Sequence, residues 1–154
     1  MRVRLASAAD VQAVIQLERT IAEAPHWAEL EYAAMLAPAS GAVRRCLFVA
    51  ESERGLAGFA VGKVIGIGSE SSLELESVAV SSDRRRMGVG RLLCVAVIDW
   101  CRAQGAAAIE LEVRAGSAGA IALYSGLGFV AEGRRPGYYQ APLDDAVLMR
   151  LKLA

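Results

Sequence analysis

Histidine, cysteine and net charge are all scarce in this chain, and each scarcity removes a class of function. There is one histidine and there are three cysteines in 154 residues. Cys46, Cys94 and Cys101 are an odd set without C-x-x-C spacing, which speaks against a disulfide framework and against a zinc site. A reducing cytoplasm is the expected setting, and no metal dependence is expected. Seventeen basic residues balance seventeen acidic ones, so no whole-molecule field favours nucleic acid or an anionic membrane. An anionic ligand must therefore be held by a local site. The run Arg84-Arg85-Arg86 lacks the aromatic interleaving of a nucleic-acid surface. No apolar stretch reaches about 18 residues without a charge, and Met1-Arg2-Val3-Arg4-Leu5 is too short and too charged for a signal peptide. A soluble protein with no membrane partner is expected; repeats, linkers and low-complexity stretches are absent.

What the chain does have is apolar residues, 55% of the total, enough for one domain with a real core spanning 1–154. Arg2 to Ala6 suits a strand, and Ser7 with Asp10 three residues on reads as a helix N-cap. The helix is expected to run to about Ala24, with Val11, Val14, Ile15 and Ile21 on one stripe. Glu18 falls on that stripe where an apolar residue belongs. Pro25 is expected to stop this helix, and a second, Ala28 to Leu36, to end before Pro38. Strands follow at Cys46 to Glu51 and Leu56 to Ile67, closed by Gly66 and Gly68, then at Leu73 to Val80. A helix from about Val89 to Ala103, a strand from Ile109 to Arg114 and a helix from Ala118 to Gly126 come next. Strands near Phe129 to Arg134 and Ala146 to Leu153 complete the chain. That order favours an α/β (α+β) architecture, a mixed sheet with helices on both faces.

The stretch from Glu74 to Leu93 sets a strand, an arginine-rich glycine turn and a helix N-terminus in immediate succession. Gly88 and Gly90 let a ligand approach the backbone, the first helical N–H groups lack intrahelical partners, and the helix dipole adds partial positive charge. Arg85, Arg86 and Arg91 add full charges. The plainer reading is a glycine turn between elements with solvated arginines. A Walker loop needs Gly-Lys-Ser/Thr, and a dinucleotide fingerprint needs glycine where Leu93 stands, so neither fits.

Arg85-Arg86-Met87-Gly88-Val89-Gly90 resembles the Gln/Arg-x-x-Gly-x-Gly/Ala signature of the GNAT superfamily of N-acetyltransferases. Val78-Ala79-Val80 resembles that family's strand end beside the pantetheine and thioester. Leu111-Glu112-Val113-Arg114-Ala115 and Ala120-Ile121-Ala122-Leu123-Tyr124 through Leu127-Gly128-Phe129 resemble its following strand and helix. Arg134, Arg135, Tyr138 and Tyr139 resemble the arginine and tyrosine pairs near the acceptor in the ribosomal-protein-alanine N-acetyltransferase (RimI) branch. The blocks take in about half the chain, from Leu75 onward.

The resemblance implies a mostly antiparallel twisted sheet of about seven strands and acetyl-CoA as cosubstrate. It places the cosubstrate on Val78, Ala79, Val80, Arg85, Arg86, Met87, Gly88, Val89, Gly90, Arg91 and Ser117, the last standing where the family usually has asparagine. The acceptor it implies is the N-terminal α-amine of a protein, a ribosomal protein foremost, with Tyr138, Tyr139 and Trp27 as acceptor contacts. Glu112 is the implied general base and Tyr124 the implied proton donor to the leaving thiolate. Glu76 is the rival base, and the backbone N–H of Ala79 or Val80 the expected oxyanion donor.

The acid–base demand fits such an acceptor, because an α-amine of pKa near 8 is roughly a tenth neutral at pH 7, whereas lysine is under about a thousandth. Each residue also has a plain structural reading: Glu112 as an exposed strand residue, Tyr124 and Trp27 as core aromatics, the tyrosine pair as half-buried strand positions. His26 reads as a surface or capping residue, Glu18 as an arginine partner or a contact of the substrate amine, and Cys94 and Cys101 as small core residues on one helix face. The competing functions are acetylation of a small amine and acyl-CoA binding without turnover; the oligomeric state is open.

Overall fold

The computed structural model describes residues 1–21, 24, 26–36, 41–66 and 71–153. The elements in chain order are β1 (Arg2–Leu5), α1 (Val11–Arg19), α2 (Glu29–Ala34), β2 (Val43–Ser52), β3 (Gly55–Ile65), β4 (Ser72–Val80), α3 (Val89–Ala103), β5 (Ala108–Arg114), α4 (Ala118–Gly126), β6 (Val130–Gln140) and β7 (Leu143–Lys152). The strands form one sheet in the order β1-β2-β3-β4-β5-β7-β6. Every pairing is antiparallel except β4 with β5, so the expected mixed, mostly antiparallel sheet of seven strands is the one observed.

Alternation along each strand feeds two separate cores. Leu73 and Leu75 of β4 and Ile109, Leu111 and Val113 of β5 face α3, where Leu93, Cys94, Val97 and Cys101 complete a buried layer. On the opposite face Leu47, Val49, Phe59, Val61 and Ala79 meet Val11 and Val14 of α1 and Tyr32 of α2. That second layer ends at β4, and the adjoining face of β5, β7 and β6 carries Glu110, Glu112 and Arg135.

Expected boundaries hold for α3 and α4 and move elsewhere for local reasons. α1 starts late, after a 3-10 turn at Ala8–Asp10, where the Asp10 carboxylate accepts the Ser7 backbone N–H at 2.8 Å and two Arg4 N–H groups at 2.7 and 3.0 Å. It ends at Arg19 rather than near Ala24, because Thr20 and Ile21 donate three residues back, to Leu17 and Glu18 oxygens at 3.0 Å each, and tighten the last turn. The stops expected at Pro25, Pro38 and Gly68 lie outside the described residues. β6 continues past Arg134 to Gln140 through an irregularity between Arg135 and Tyr139. Pro136 lacks a donor and Gly137 has φ 61°, a break that hides the strand from pattern reading.

One feature of the sheet positions the site. β4 and β5 pair only at Leu73↔Ile109 and Glu74↔Glu110. From Leu75 onward the two strands diverge, and the edge of β4 that faces β5 has no strand beside it. A bulge in the β3–β4 register, with Val61 opposite Ser77 but Gly62 opposite Leu75, gives β4 an extra residue at Glu76 just where the divergence begins.

Candidate active site

The divergence opens into a cleft of about 790 Å³. Its walls are Val78, Ala79 and Val80 from β4, Arg85, Arg86 and Gly88 from the turn, Val89, Gly90 and Arg91 from α3, and Ser117, Gly119, Ala120, Ala122, Leu123 and Tyr124 from α4. Ten of the eleven positions expected to hold the cosubstrate therefore line one cleft. Met87 does not: it is absent from the lining and 65% exposed, because the chain reverses there between Arg86 at φ 62° and Gly88 at φ 81°.

The local chemistry of the α3 end suits a phosphate. Gly88 is the N-cap in the left-handed region, a conformation that costs a side-chain-bearing residue energy. The Leu92 N–H donates to Gly88 O at 3.1 Å, so the Val89, Gly90 and Arg91 amides precede the first turn and have no intrahelical acceptor. A β-carbon at Gly90 would lie 3.2 Å from Leu123 Cδ2 and 3.7 Å from Val80 Cγ2. Glycine there leaves open the space that a side chain would fill between α3 and Leu123 of α4. Ser117 sits at the N-cap of α4, with its side chain making no capping bond.

The backbone of β4 separates the two candidate oxyanion donors. The Ser81 N–H reaches Ala57 O at 2.8 Å on the β3 side. Alternation along an extended strand then turns the Ala79 N–H toward β3 as well and the Val78 and Val80 N–H groups into the cleft. Of the expected pair, Val80 is free and Ala79 is committed to the sheet.

Tyr124 reaches the cleft from α4, its ring edge-on to Phe129 at 5.9 Å. Burial raises its phenol pKa above the ordinary value, with Cys94 and Tyr139 adding smaller contributions. It keeps its proton at any physiological pH.

Glu112 lies in a second, smaller hollow of about 300 Å³ on the sheet face opposite α3, with Glu74, Glu110, Glu132 and Arg135 around it. The Arg135 Nη2 is 3.7 Å from Glu112 Oε1. The nearby Glu112 carboxylate raises the Tyr138 pKa. Tyr139, half-buried beneath the Arg114 guanidinium at 4.3 Å, is within electrostatic reach of both Glu112 and Tyr124. Glu76, the rival base, is held by Arg45 at 3.0 and 3.2 Å. Burial, then the Glu76 charge, raises the carboxyl pKa of Glu74.

Trp27 stands back from both cavities, packed on Tyr32 with ring centroids 5.7 Å apart. His26 is exposed, at φ 55°, its ring Nε2 2.8 Å from Ile21 O. Glu18 is fully buried, beside Arg19, Tyr32 and Trp27. Cys46, Cys94 and Cys101 are buried free thiols whose pKa values burial pushes up to about 12.

Sequence reasoning missed Ile21, Glu74 and Glu132. Ile21 belongs to the α1–α2 core yet lines the α3-side cleft, so the cleft passes through the sheet where β4 and β5 part. Glu74 had a signal, a charge at an alternating strand position; Glu132 and Ile21 had none. Among the described residues no three His, Cys, Asp or Glu side chains are placed to hold a metal ion, and no helix is long and apolar enough to cross a membrane.

Residues 11–129 match the model of the acetyltransferase (GNAT) family. The [ribosomal protein bS18]-alanine N-acetyltransferase of Escherichia coli (strain K12) is 38% identical over 101 residues, 64% of this chain and 66% of that enzyme. The catalytic subunit of the N-terminal acetyltransferase B complex of Schizosaccharomyces pombe is 33% identical over 91 residues, 59% of this chain and 51% of that subunit. These alignments thus span about two thirds and about half of the relatives' own lengths. The crystal structure of the ribosomal-protein-S18-alanine N-acetyltransferase from Escherichia coli superposes with a TM-score of 0.79 at 29% identity, covering 99% of this chain and 94% of that one. With the signature loop, the helix end and the parted strands in one cleft, the chain belongs to the GNAT acetyltransferase family and is an N-acetyltransferase whose cosubstrate is acetyl-CoA.

Proposed function

We propose that the protein acetylates the N-terminal α-amine of another protein in the cytoplasm, a ribosomal protein being the leading acceptor. The observation that carries this reading is the placement of Glu112: on the sheet face away from the phosphate-binding loop, in its own hollow, beside Arg135 and the Tyr138 hydroxyl. A carboxylate so placed meets an acceptor arriving from the opposite side of the sheet. The names of two similar proteins, an alanine N-acetyltransferase of a ribosomal protein and an N-terminal acetyltransferase subunit, support a peptide acceptor.

Acetyl-CoA supplies the activated acyl group as a thioester. The Val89, Gly90 and Arg91 amides with Arg85, Arg86 and Arg91 hold its pyrophosphate, and Ser117 offers a hydroxyl from the start of α4. Glu112 takes the proton that the ammonium must lose, through a water, a modest task for an α-amine of pKa near 8. Glu76, the rival, is engaged by Arg45 at 3.0 Å. The Val80 N–H faces the negative charge that builds on the acyl oxygen. Tyr124, kept protonated by burial, returns a proton to the departing sulfur. Tyr138 and Tyr139 border the acceptor's path; Trp27 acts behind them, through packing.

Thiol release from acetyl-CoA, measured with an N-terminal alanine peptide, N-terminally blocked peptides and free small amines, tests the reading. Turnover that requires a free peptide N-terminus is the expected result. Inert peptides with a reactive small amine move the acceptor to small molecules, and acetyl-CoA binding without turnover of any amine makes the protein a non-catalytic acyl-CoA module.

A further inference from the structure

The most costly group to bury in this molecule has no part in the chemistry above. Glu18 is 0% exposed in the core between α1, α2 and the sheet. An ionised carboxylate in such a place is tolerated only when several donors surround it, and an apolar side chain of similar volume is commonly as stable or more so. Its donors come from three different points of the chain: the Arg19 guanidinium next to it, the Tyr32 hydroxyl on α2, and the backbone N–H of Trp27 at 2.9 Å. Arg19 closes the circuit by donating from Nη2 to Trp27 O at 3.0 Å. Both backbone polar groups of Trp27 are thus held by two successive residues of α1.

What this knot holds in place matters for the site. The Ile21 N–H donates to Glu18 O at 3.0 Å, and the His26 ring is 2.8 Å from Ile21 O. Ile21 is the residue that crosses from the α1–α2 core into the cleft beside Val78, Ala79 and Val80. Tyr32 stands edge-on to Phe59 at 5.9 Å, and Phe59 pairs with Ala79 across β3 and β4. The carboxylate of Glu18 is therefore connected to the wall of the cleft along two routes, one through the Trp27 N–H and the neighbouring His26 ring to Ile21 O, and one through the packed rings of Tyr32 and Phe59.

We propose that Glu18 is a positioning residue for the acceptor amine: it ties Trp27 and Tyr32 to the end of α1 and so fixes Ile21 as the far wall of the opening through the sheet. This rests on the reading that the acceptor enters from the α1–α2 face. The phosphate-binding end of the cleft is built from the β4–α3 turn and α4, whereas the hydrogen-bond partners of the Glu18 carboxylate among the described residues are Arg19, Trp27 and Tyr32. Loss of the carboxylate should therefore act on the acceptor and spare acetyl-CoA.

The test is steady-state kinetics of Glu18→Gln and Tyr32→Phe against wild type, varying acetyl-CoA and, separately, the amine that wild type accepts best. Amide hydrogen exchange at Trp27 and the melting temperature are read on the same samples. Glu18→Gln keeps the volume, and Tyr32→Phe removes one donor while keeping the ring on Phe59. The expected result is a roughly tenfold fall in kcat/KM for the acceptor, carried mainly by KM, with the acetyl-CoA KM within about twofold and faster exchange at Trp27. Tyr32→Phe should move the same quantities in the same direction by less. Acceptor and acetyl-CoA parameters falling together with the melting temperature would make Glu18 a stability residue only. Unchanged acceptor kinetics alongside faster exchange at Trp27 would also overturn the proposal. Wild type that accepts small amines but no peptide sinks the peptide reading while leaving the variant ratios to judge Glu18; wild type that accepts no amine sinks both.

Discussion

The two sides of the site are built differently. The side proposed to bind phosphate is almost contiguous: Val78 to Arg91 supplies strand, turn and helix end, and Ser117 to Tyr124 closes the cleft from α4. The proposed acceptor side is assembled from Glu112 on β5, Arg135 and Tyr138 on β6, and Glu74 on β4, with Ile21 reaching in beyond α1. The first side offers backbone amides from the geometry of one turn; the second relies on side chains that meet only because the sheet folds. A loop that binds by backbone tolerates most side-chain changes except at its glycines, whereas a hollow of side chains can change its ligand with any one of them.

The largest expected effects test whether chemistry truly spans both sides. Glu112→Gln and Tyr124→Phe should each lower turnover by about tenfold or more, on the scale of general acid–base catalysis, with the acetyl-CoA Kd retained. Rapid-mix or steady-state thiol release with parallel calorimetry reads both quantities, and near-wild-type turnover in the pair would break the assignment. A one-sided loss is the next largest. Gly90→Val puts methyl groups where a β-carbon already lies 3.2 Å from Leu123, and overpacking of about 1–3 kcal/mol there should weaken acetyl-CoA about tenfold or more. The acceptor KM at saturating acetyl-CoA should hold, and a matching change in it would mean that the two sides are one.

Smaller effects sharpen the same contrast. Arg85→Ala and Arg86→Ala remove exposed charges, so the acetyl-CoA Kd should rise by only about two- to fivefold, and by less at high salt. Titrations at two ionic strengths check this. Outside both sides, Arg4 and the Ser7 N–H hold the Asp10 carboxyl well below its ordinary pKa. A depressed folded-state value means stability that is present above the unfolded carboxyl pKa, near 4, and lost as pH falls toward the folded one. Asp10→Asn should therefore melt lower at neutral pH and lose less on acidification, as thermal scans from neutral pH down to about pH 3 would reveal. Last, the three thiols, pushed up to about 12 by burial, should react with a thiol reagent only after unfolding, which leaves thiol-release assays a low background.

The contrast also explains what could be read from the sequence. Phosphate binding by a turn is a local property, so Gly88, Gly90 and the arginines announce it in the chain; the bounds of α3 and α4 were legible for the same reason. The roles given to Glu112 and Tyr124 come from resemblance alone; what the sequence shows by itself is that Glu112 alternates away from the apolar face of its strand. Three things were not legible. The seam between β4 and β5 depends on how far two strands run together, which no alternation encodes. Ile21 reads as an ordinary stripe residue because its second role exists only once the sheet has opened beneath it. Pro136 and Gly137 mask a strand that continues to Gln140. Glu18 was visible as a charge on an apolar stripe, but its three donors come from Arg19, Trp27 and Tyr32, two of them beyond the helix.

The parting of β4 and β5 has a mechanical side. Joined at two paired positions, Leu73↔Ile109 and Glu74↔Glu110, and packed on α3, the two halves of the sheet meet at the junction with the fewest paired residues in the described sheet. A molecule lying in the gap touches β4 on one bank and α4 on the other, and so acts as a rivet as well as a reagent. Its occupancy should couple the melting of both banks, in the manner of any ligand that binds only the folded form. Until the rivet is set, the seam is where the molecule should first come apart.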